Sequence, residues 1–194
     1  MSLPSPNHGP RRDGVRPSLV VIHTTCMPCC AASRARLCDP QAQVSAHWLI
    51  DLDGRAEQLV DEGQRAWHAG AGMWRGLDDI NSHSIGIELQ NTGDAPFPEP
   101  QMAALEALLR DIMARWSIRP DGVIAHSDMA PGRKTDPGPR FDWRRLARQG
   151  LAWWPVDGVS VMTPDWLDSV GYPPVEHDLR RAAAVLRFGE SRSG

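Results

Sequence analysis

The chain has 194 residues, 41% apolar and 23% charged, which suits one globular domain of about 150 residues with a small appendage. A formal net charge of −3 provides no broad positive field to attract nucleic acid or an anionic membrane surface, so neither is expected as a partner. No run of about eighteen apolar residues occurs, and the segment Met1 to His8 lacks the apolar core of an export signal, so a cytoplasmic location is expected.

Residues 1–17, rich in Pro, Asn, Gly and Arg, read as an irregular surface arm. The pairs Arg11-Arg12 and Arg144-Arg145 read as solvated charge. Ser18 to His23 is short, apolar and β-branched, the pattern of a buried strand, and it ends in a histidine. Ala31 to Cys38 predicts about two helical turns, stopped by Asp39-Pro40. Val44 to Ile50 and Arg55 to Val60 flank Asp51-Leu52-Asp53-Gly54 and predict a hairpin.

Ser84 to Leu89 predicts a third strand, with Gly86 and Glu88 on one face and Ile85 and Ile87 on the other. Met102, Leu105, Leu109, Ile112, Met113 and Trp116 recur at helical spacing, with Pro100 suited to the first turn. Val123 to His126 predicts another buried strand ending in a histidine, and Asp142 to Gln149 a short helix. Strands alternating with helices, one hairpin and polar groups at strand ends indicate an α/β domain with a mixed sheet.

After residue 156, Thr163-Pro164-Asp165 is a helix start, and Val175 to Phe188 a second helix with Leu179, Ala183 and Leu186 on one stripe. So few apolar residues predict a tail (157–194) that packs on the main domain (1–156) or frays.

Cys26, Cys29, Cys30 and Cys38 fall in one short stretch, unlike a disulfide framework spread through a secreted fold. Reduced thiols are the favoured reading; a second zinc site or a disulfide are the alternatives.

His23, His126 and Asp136, the last in the loop after His126, offer two imidazoles and a carboxylate. Such a set suits one catalytic zinc with a fourth position open. Glu88, late in an apolar strand, is the candidate proton carrier, because burial raises a carboxyl pKa. Lys134, two residues before Asp136, is the candidate partner for a developing oxyanion.

Val20-Val-Ile-His23-Thr-Thr, Val44-Ser-Ala-His-Trp-Leu-Ile-Asp51, Arg65-Ala-Trp-His-Ala-Gly70, Asn81-Ser-His-Ser-Ile-Gly-Ile-Glu-Leu89 and Ala125-His-Ser-Asp-Met-Ala-Pro-Gly-Arg-Lys-Thr-Asp-Pro-Gly138 occur in this order. Together they resemble the N-acetylmuramoyl-L-alanine amidases of the peptidoglycan recognition superfamily, most closely the AmpD-like branch, over about Ser5 to Trp154. The resemblance implies a central mixed β-sheet flanked by helices and one zinc ion on His23, His126 and Asp136. It also implies Glu88 as catalytic acid/base, Lys134 in the oxyanion role, and a peptidoglycan fragment as substrate, cut between the lactyl group of N-acetylmuramic acid and L-alanine during cell-wall recycling. Trp67, His68 and Arg133 become candidates to contact sugar or peptide, and His47 to support the metal ligands from behind.

Where relatives commonly carry Tyr-Thr-Gly after the first zinc histidine, this chain has Thr24-Thr25-Cys26-Met27-Pro28, so the loop beside the metal is atypical. Leu167-Asp-Ser-Val-Gly-Tyr172 resembles the opening of a small helical peptidoglycan-binding module that stops before three helices are complete.

Overall fold

The computed structural model describes residues 4–155 and 162–189. The expected boundary between domain and tail, at 156/157, lies outside the described residues.

The strands are β1 (His8–Pro10), β2 (Leu19–Thr24), β3 (Trp48–Ile50), β4 (Ala56–Gln58), β5 (Gln64–Ala66), β6 (Ser84–Leu89) and β7 (Val123–Ala125). Five of them form a sheet in the order β4-β3-β6-β2-β7, parallel except for the antiparallel edge strand β4. The helices are α1 (Cys30–Leu37), α2 (Ile80–His83), α3 (Glu99–Trp116), α4 (His126–Met129), α5 (Trp143–Arg148), α6 (Pro164–Val170) and α7 (His177–Phe188). The fold is therefore a central mixed sheet with helices on both sides. None of the described helices is long and apolar enough to cross a membrane.

The period-2 alternation of β2, β6 and β7 divides the interior into two halves. Val20, Ile22, Ile85, Ile87, Leu89, Val123 and Ala125 face Met102, Leu105, Leu109 and Ile112 of α3, with Phe141, Trp143 and Leu146 completing that layer. Leu105 and Leu109 are fully buried, each contributing about 2 kcal/mol by removal from water. Leu19, Val21 and Ile124 point the other way, towards Trp74, Ile80, Met129 and the tail helices. On that second face, one step further along the central strands, stand His23 and Glu88, which are register partners.

The hairpin is shorter than the pattern suggested. Val44 to His47 stays outside the ladder, and the turn places Gly54 at φ +87, with Pro100 so close that a Cβ would lie 2.6 Å from its carbonyl oxygen. Only glycine fits there. Along α7 the buried face is Arg180, Ala183, Ala184, Arg187 and Phe188, while Leu179 is exposed. The apolar stripe misled because the surface receiving α7 offers carboxylates and carbonyls as well as hydrocarbon. Helices α6 and α7 share the second core with Trp74 and Met129.

Within the arm, residues 4–17 are not a loose surface segment. β1 pairs with β5, Asn7 Nδ2 donates to the carbonyls of Asp39 and Val44 (both 2.8 Å), and Arg11 is buried. Its guanidinium donates to the carbonyls of Glu62 (2.7 Å), Ser82 (2.6 Å) and Ser84 (3.0 Å). Arg11 is thus no solvated charge. It terminates backbone groups that no strand satisfies, whereas Arg12 remains exposed. Arg145 differs from expectation too, pairing with Glu99 and Glu106. Sequence patterns miss such bonds because the acceptors are carbonyls and carboxylates tens of residues away.

Replacing Arg11 with Ala leaves several carbonyls without donors. A loss of about 3 kcal/mol is expected, measured as a lower urea midpoint with the fold retained.

Candidate metal centre and active-site cleft

Parallel strands present their C-terminal ends together, and the polar residues of the second face gather there. His23 is the penultimate residue of β2, Glu88 the penultimate residue of β6, and His126 follows β7 directly. Asp136 returns on the loop after α4, held where its carbonyl accepts from the Ser127 amide (3.0 Å). Among the described residues, His23, His126 and Asp136 form the one group of three or more His, Cys, Asp or Glu arranged to share a metal ion.

The atoms that meet are His23 Nδ1, His126 Nδ1 and Asp136 Oδ2, at 2.9 Å between the imidazole nitrogens and 3.2 and 3.1 Å from each to the carboxylate. Neighbouring bonds determine which nitrogen carries the proton. The Ser84 hydroxyl donates to the Ile80 carbonyl, so it accepts from His68 Nε2 (3.2 Å). His68 Nδ1 is then bare and accepts from His23 Nε2 (3.0 Å), which leaves His23 Nδ1 bare as well. On the other side His126 Nε2 donates to the Ala69 carbonyl (2.9 Å), turning its Nδ1 lone pair towards the centre. Burial, and then the neighbouring His126, bring the His23 pKa down to about 4, which keeps that ring neutral at pH 7.

Three electron-rich atoms at this spacing repel unless positive charge lies among them. Ligand atoms about 2 Å from a tetrahedral zinc are about 3.3 Å apart, close to the separations seen here. The donor set, its spacing and the outward hydrogen bond on each imidazole therefore fit a divalent cation.

Glu88 opens onto the same cleft, a space of about 270 Å³ lined also by Lys134, Trp67 and the loop Thr24 to Met27. Its Oε2 is enclosed and has no hydrogen-bond partner among the described residues. Burial, and then the negative Asp136, push its pKa up to about 8 against the opposing pull of the Lys134 ammonium. A carboxyl so placed exchanges its proton near neutral pH.

The other candidates divide. Trp67 is half-buried and lines the cleft. His68 also borders it, but both its ring nitrogens are engaged by His23 and Ser84, so it orients a candidate ligand. His47 touches none of the three candidate ligands. It is fully buried, accepts from the Gly86 amide (2.9 Å) and donates to the Gln64 carbonyl (3.1 Å), one imidazole further back than His68. Arg133 donates from Nη2 to the carbonyls of Ala69 and Ala71 and is not among the residues lining the cleft. Cys26, Cys29, Cys30 and Cys38 are free thiols that gather no metal-binding group among the described residues; of the four, Cys26 lines the cleft.

Several contributors were not singled out in the sequence. Asn81 Oδ1 accepts from the amides of His68 (3.0 Å) and Ala69 (2.8 Å), and Ser45 Oγ accepts from the Trp67 amide (2.8 Å). Arg36 on α1 supplies a second positive side chain to the cleft. Asn81, Ser84 and Ser45 all fall inside the ordered motifs, which was the available signal. Nothing local marked Arg36.

The pattern of the N-acetylmuramoyl-L-alanine amidase family matches residues 13–139. N-acetylmuramoyl-L-alanine amidase AmiD of Escherichia coli (strain K12) is 44% identical over 156 residues, 72% of this chain but only 55% of that protein. The 1,6-anhydro-N-acetylmuramyl-L-alanine amidase AmpD of Enterobacter cloacae is 38% identical, covering 74% of this chain and 86% of that protein. The solved complex of E. coli AmiD with the substrate anhydro-N-acetylmuramic acid-L-Ala-D-gamma-Glu-L-Lys superimposes with a TM-score of 0.80 at 37% identity, over 92% of this chain and 82% of that one.

Gly86 tests the orientation of His68. A Cβ there would lie 2.4 Å from His68 Cγ, and the ring is bonded at both ends and cannot retreat. Gly86→Ala is expected to lower stability by about 1–3 kcal/mol and, by turning His23, to weaken any uptake of a divalent cation about 10- to 100-fold. Calorimetric titration with zinc reads the second effect.

Proposed function

The chain belongs to the N-acetylmuramoyl-L-alanine amidase family, and from that premise we propose that it hydrolyses the amide between the lactyl group of N-acetylmuramic acid and L-alanine in peptidoglycan fragments, with one zinc ion as cofactor. The observation that carries this reading is the meeting of three bare acceptor atoms beside a carboxyl whose Oε2 is enclosed and without a partner among the described residues, in one cleft. A substrate of the kind named in the AmiD complex, an anhydromuramyl peptide, is the one proposed.

His23, His126 and Asp136 would hold the zinc. When bound, the ion supplies Lewis-acid activation of water and of the scissile carbonyl at neutral pH. The remaining work falls to the chain. Glu88, its carboxyl tuned towards neutrality by burial, takes the proton of the attacking water and passes it to the departing alanine nitrogen. The leaving group is then a neutral amine. Lys134 faces the same space and offers its ammonium to the carbonyl oxygen as negative charge builds there.

Trp67 and Arg36 line the walls of the cleft, an aromatic surface for the sugar and a cation for peptide carboxylates. The Thr24 to Met27 loop forms another wall, so the departure from Tyr-Thr-Gly falls where the substrate must pass.

Incubated with zinc, the chain should convert an anhydromuramyl tripeptide into free sugar and a peptide with an alanine N-terminus, resolved by mass spectrometry. A chelator should abolish turnover and zinc restore it; intact substrate under all conditions rejects the reading. Glu88→Ala is expected to keep its zinc and lose about 10²- to 10⁴-fold in kcat. Near-normal turnover by that variant would assign the proton transfer to another group.

A further inference from the structure

We propose that the buried cluster Asp128, Tyr172 and Arg187 positions His126, so that the C-terminal helix pair α6–α7 acts as a brace for the metal centre. The proposal rests on His126 being a metal ligand, as read above, and extends to residues outside the part of the chain matched by the family pattern, which ends at 139.

The need for a brace arises in α4. It is a single turn, His126–Met129, and its first residue is the candidate ligand. One turn has no stability of its own, because fixing its dihedrals yields almost no internal hydrogen bonds. Its entry is held by Asp128, whose Oδ2 accepts from the amide of Ala125 (2.9 Å), the residue immediately before the ligand. An alanine has no side-chain oxygen to return the bond, so this half of a capping box stands alone.

Asp128 is fully buried, and a buried carboxylate stays charged only with compensation. The tail supplies all the side-chain compensation seen among the described residues. The Tyr172 hydroxyl donates to Oδ1 (2.7 Å) and Arg187 Nη1 to Oδ2. Arg187 Nη2 reaches past the carboxylate to the carbonyls of Val123 (3.1 Å) and Trp153 (3.3 Å), gripping the backbone of β7 upstream of His126. The Arg187 guanidinium is itself seated 4.4 Å from the centre of the Trp143 ring. Tyr172 is fixed edge-on against Trp74, with ring centres 5.1 Å apart.

A second contact reaches the middle of the ligand loop. Leu179 of α7 covers Gly132, where an added Cβ would meet its methyl carbons at 3.0 Å. Between these supports, the Ser127 amide holds the Asp136 carbonyl, coupling the two ligands of this loop. A shift of α7 would therefore move His126 through Asp128 and Asp136 through Ser127, and constellations of this kind tolerate displacements of only about 0.5 Å. Tyr172 and Arg187 touch no ligand directly. They are positioning residues, and their effect should appear in the metal site itself.

The test uses the full chain with Tyr172→Phe, which removes one hydrogen bond and keeps the ring, and Arg187→Met. Leu105→Ala, a fully buried α3 position on the opposite face of the sheet that touches neither α6 nor α7, serves as the control for a general loss of stability. Zinc affinity is measured by chelator competition, site geometry by the visible spectrum of the cobalt(II) form, stability by urea, and metal-free mobility by amide exchange over residues 123–130. Tyr172→Phe and Arg187→Met should weaken zinc about 10- to 100-fold, alter the cobalt spectrum and speed exchange at 125–130. Leu105→Ala should lower the urea midpoint with zinc affinity, spectrum and that exchange unchanged.

Equal losses of affinity in all three variants, or unchanged affinity and exchange in the first two, would overturn the brace. If the parent chain takes up neither zinc nor cobalt, the metal reading fails on its own. Exchange at 125–130 then still decides between a brace and no brace, since it is measured without metal.

Discussion

The bare acceptor atoms of His23, His126 and Asp136 lie within 3.2 Å of one another, and the surrounding structure must hold that repulsive arrangement in place. It does so with fixed hydrogen bonds directed away from the centre. The Ile80 carbonyl orders Ser84, Ser84 orders His68, and His68 orders His23; on the other side the Ala69 carbonyl fixes the proton of His126. Each bond removes a proton from the inner nitrogen by securing one on the outer nitrogen. Close packing makes the chain of bonds stiff, since His68 lies directly over Gly86 with no room for a side chain between them.

The same enclosure sets the electrostatics. Burial that keeps His23 neutral also makes the charged form of Glu88 unfavourable, and Asp136 adds to that effect. Lys134 pulls in the opposite direction, and the carboxyl ends near neutrality. Burial thus has opposite consequences for an imidazole and a carboxyl, both of which suit the proposed reaction.

The sheet keeps stability and chemistry on separate faces. One face packs hydrocarbon against α3 with almost no polar atom, while the other ends in a histidine, a glycine and a glutamate. Polar groups on the second side are tolerated because buried arginines reach the backbone that would otherwise go unpaired. Arg11 does this for the Glu62, Ser82 and Ser84 carbonyls, and Arg187 for Val123 and Trp153. Both guanidiniums come from segments that look dispensable in sequence, the N-terminal arm and the C-terminal tail. Each holds an element that carries or supports a candidate ligand.

Local pattern and motif order alone determined the central strands, α3, the mixed-sheet class, the family, and the three side chains that meet at the cleft. Those features are legible because strand alternation and helical spacing are properties of neighbouring residues, and because the ordered motifs span the site. Tertiary structure alone decided that Arg11 is buried, that His68 supports His23, that His47 stands behind it, and that Arg133 is committed to backbone carbonyls. It also decided that α7 buries two arginines in place of Leu179. The physical reason is common to all of them. A polar side chain is placed by whichever distant donor or acceptor the fold brings within about 3 Å, and that partner leaves no periodic trace in the chain.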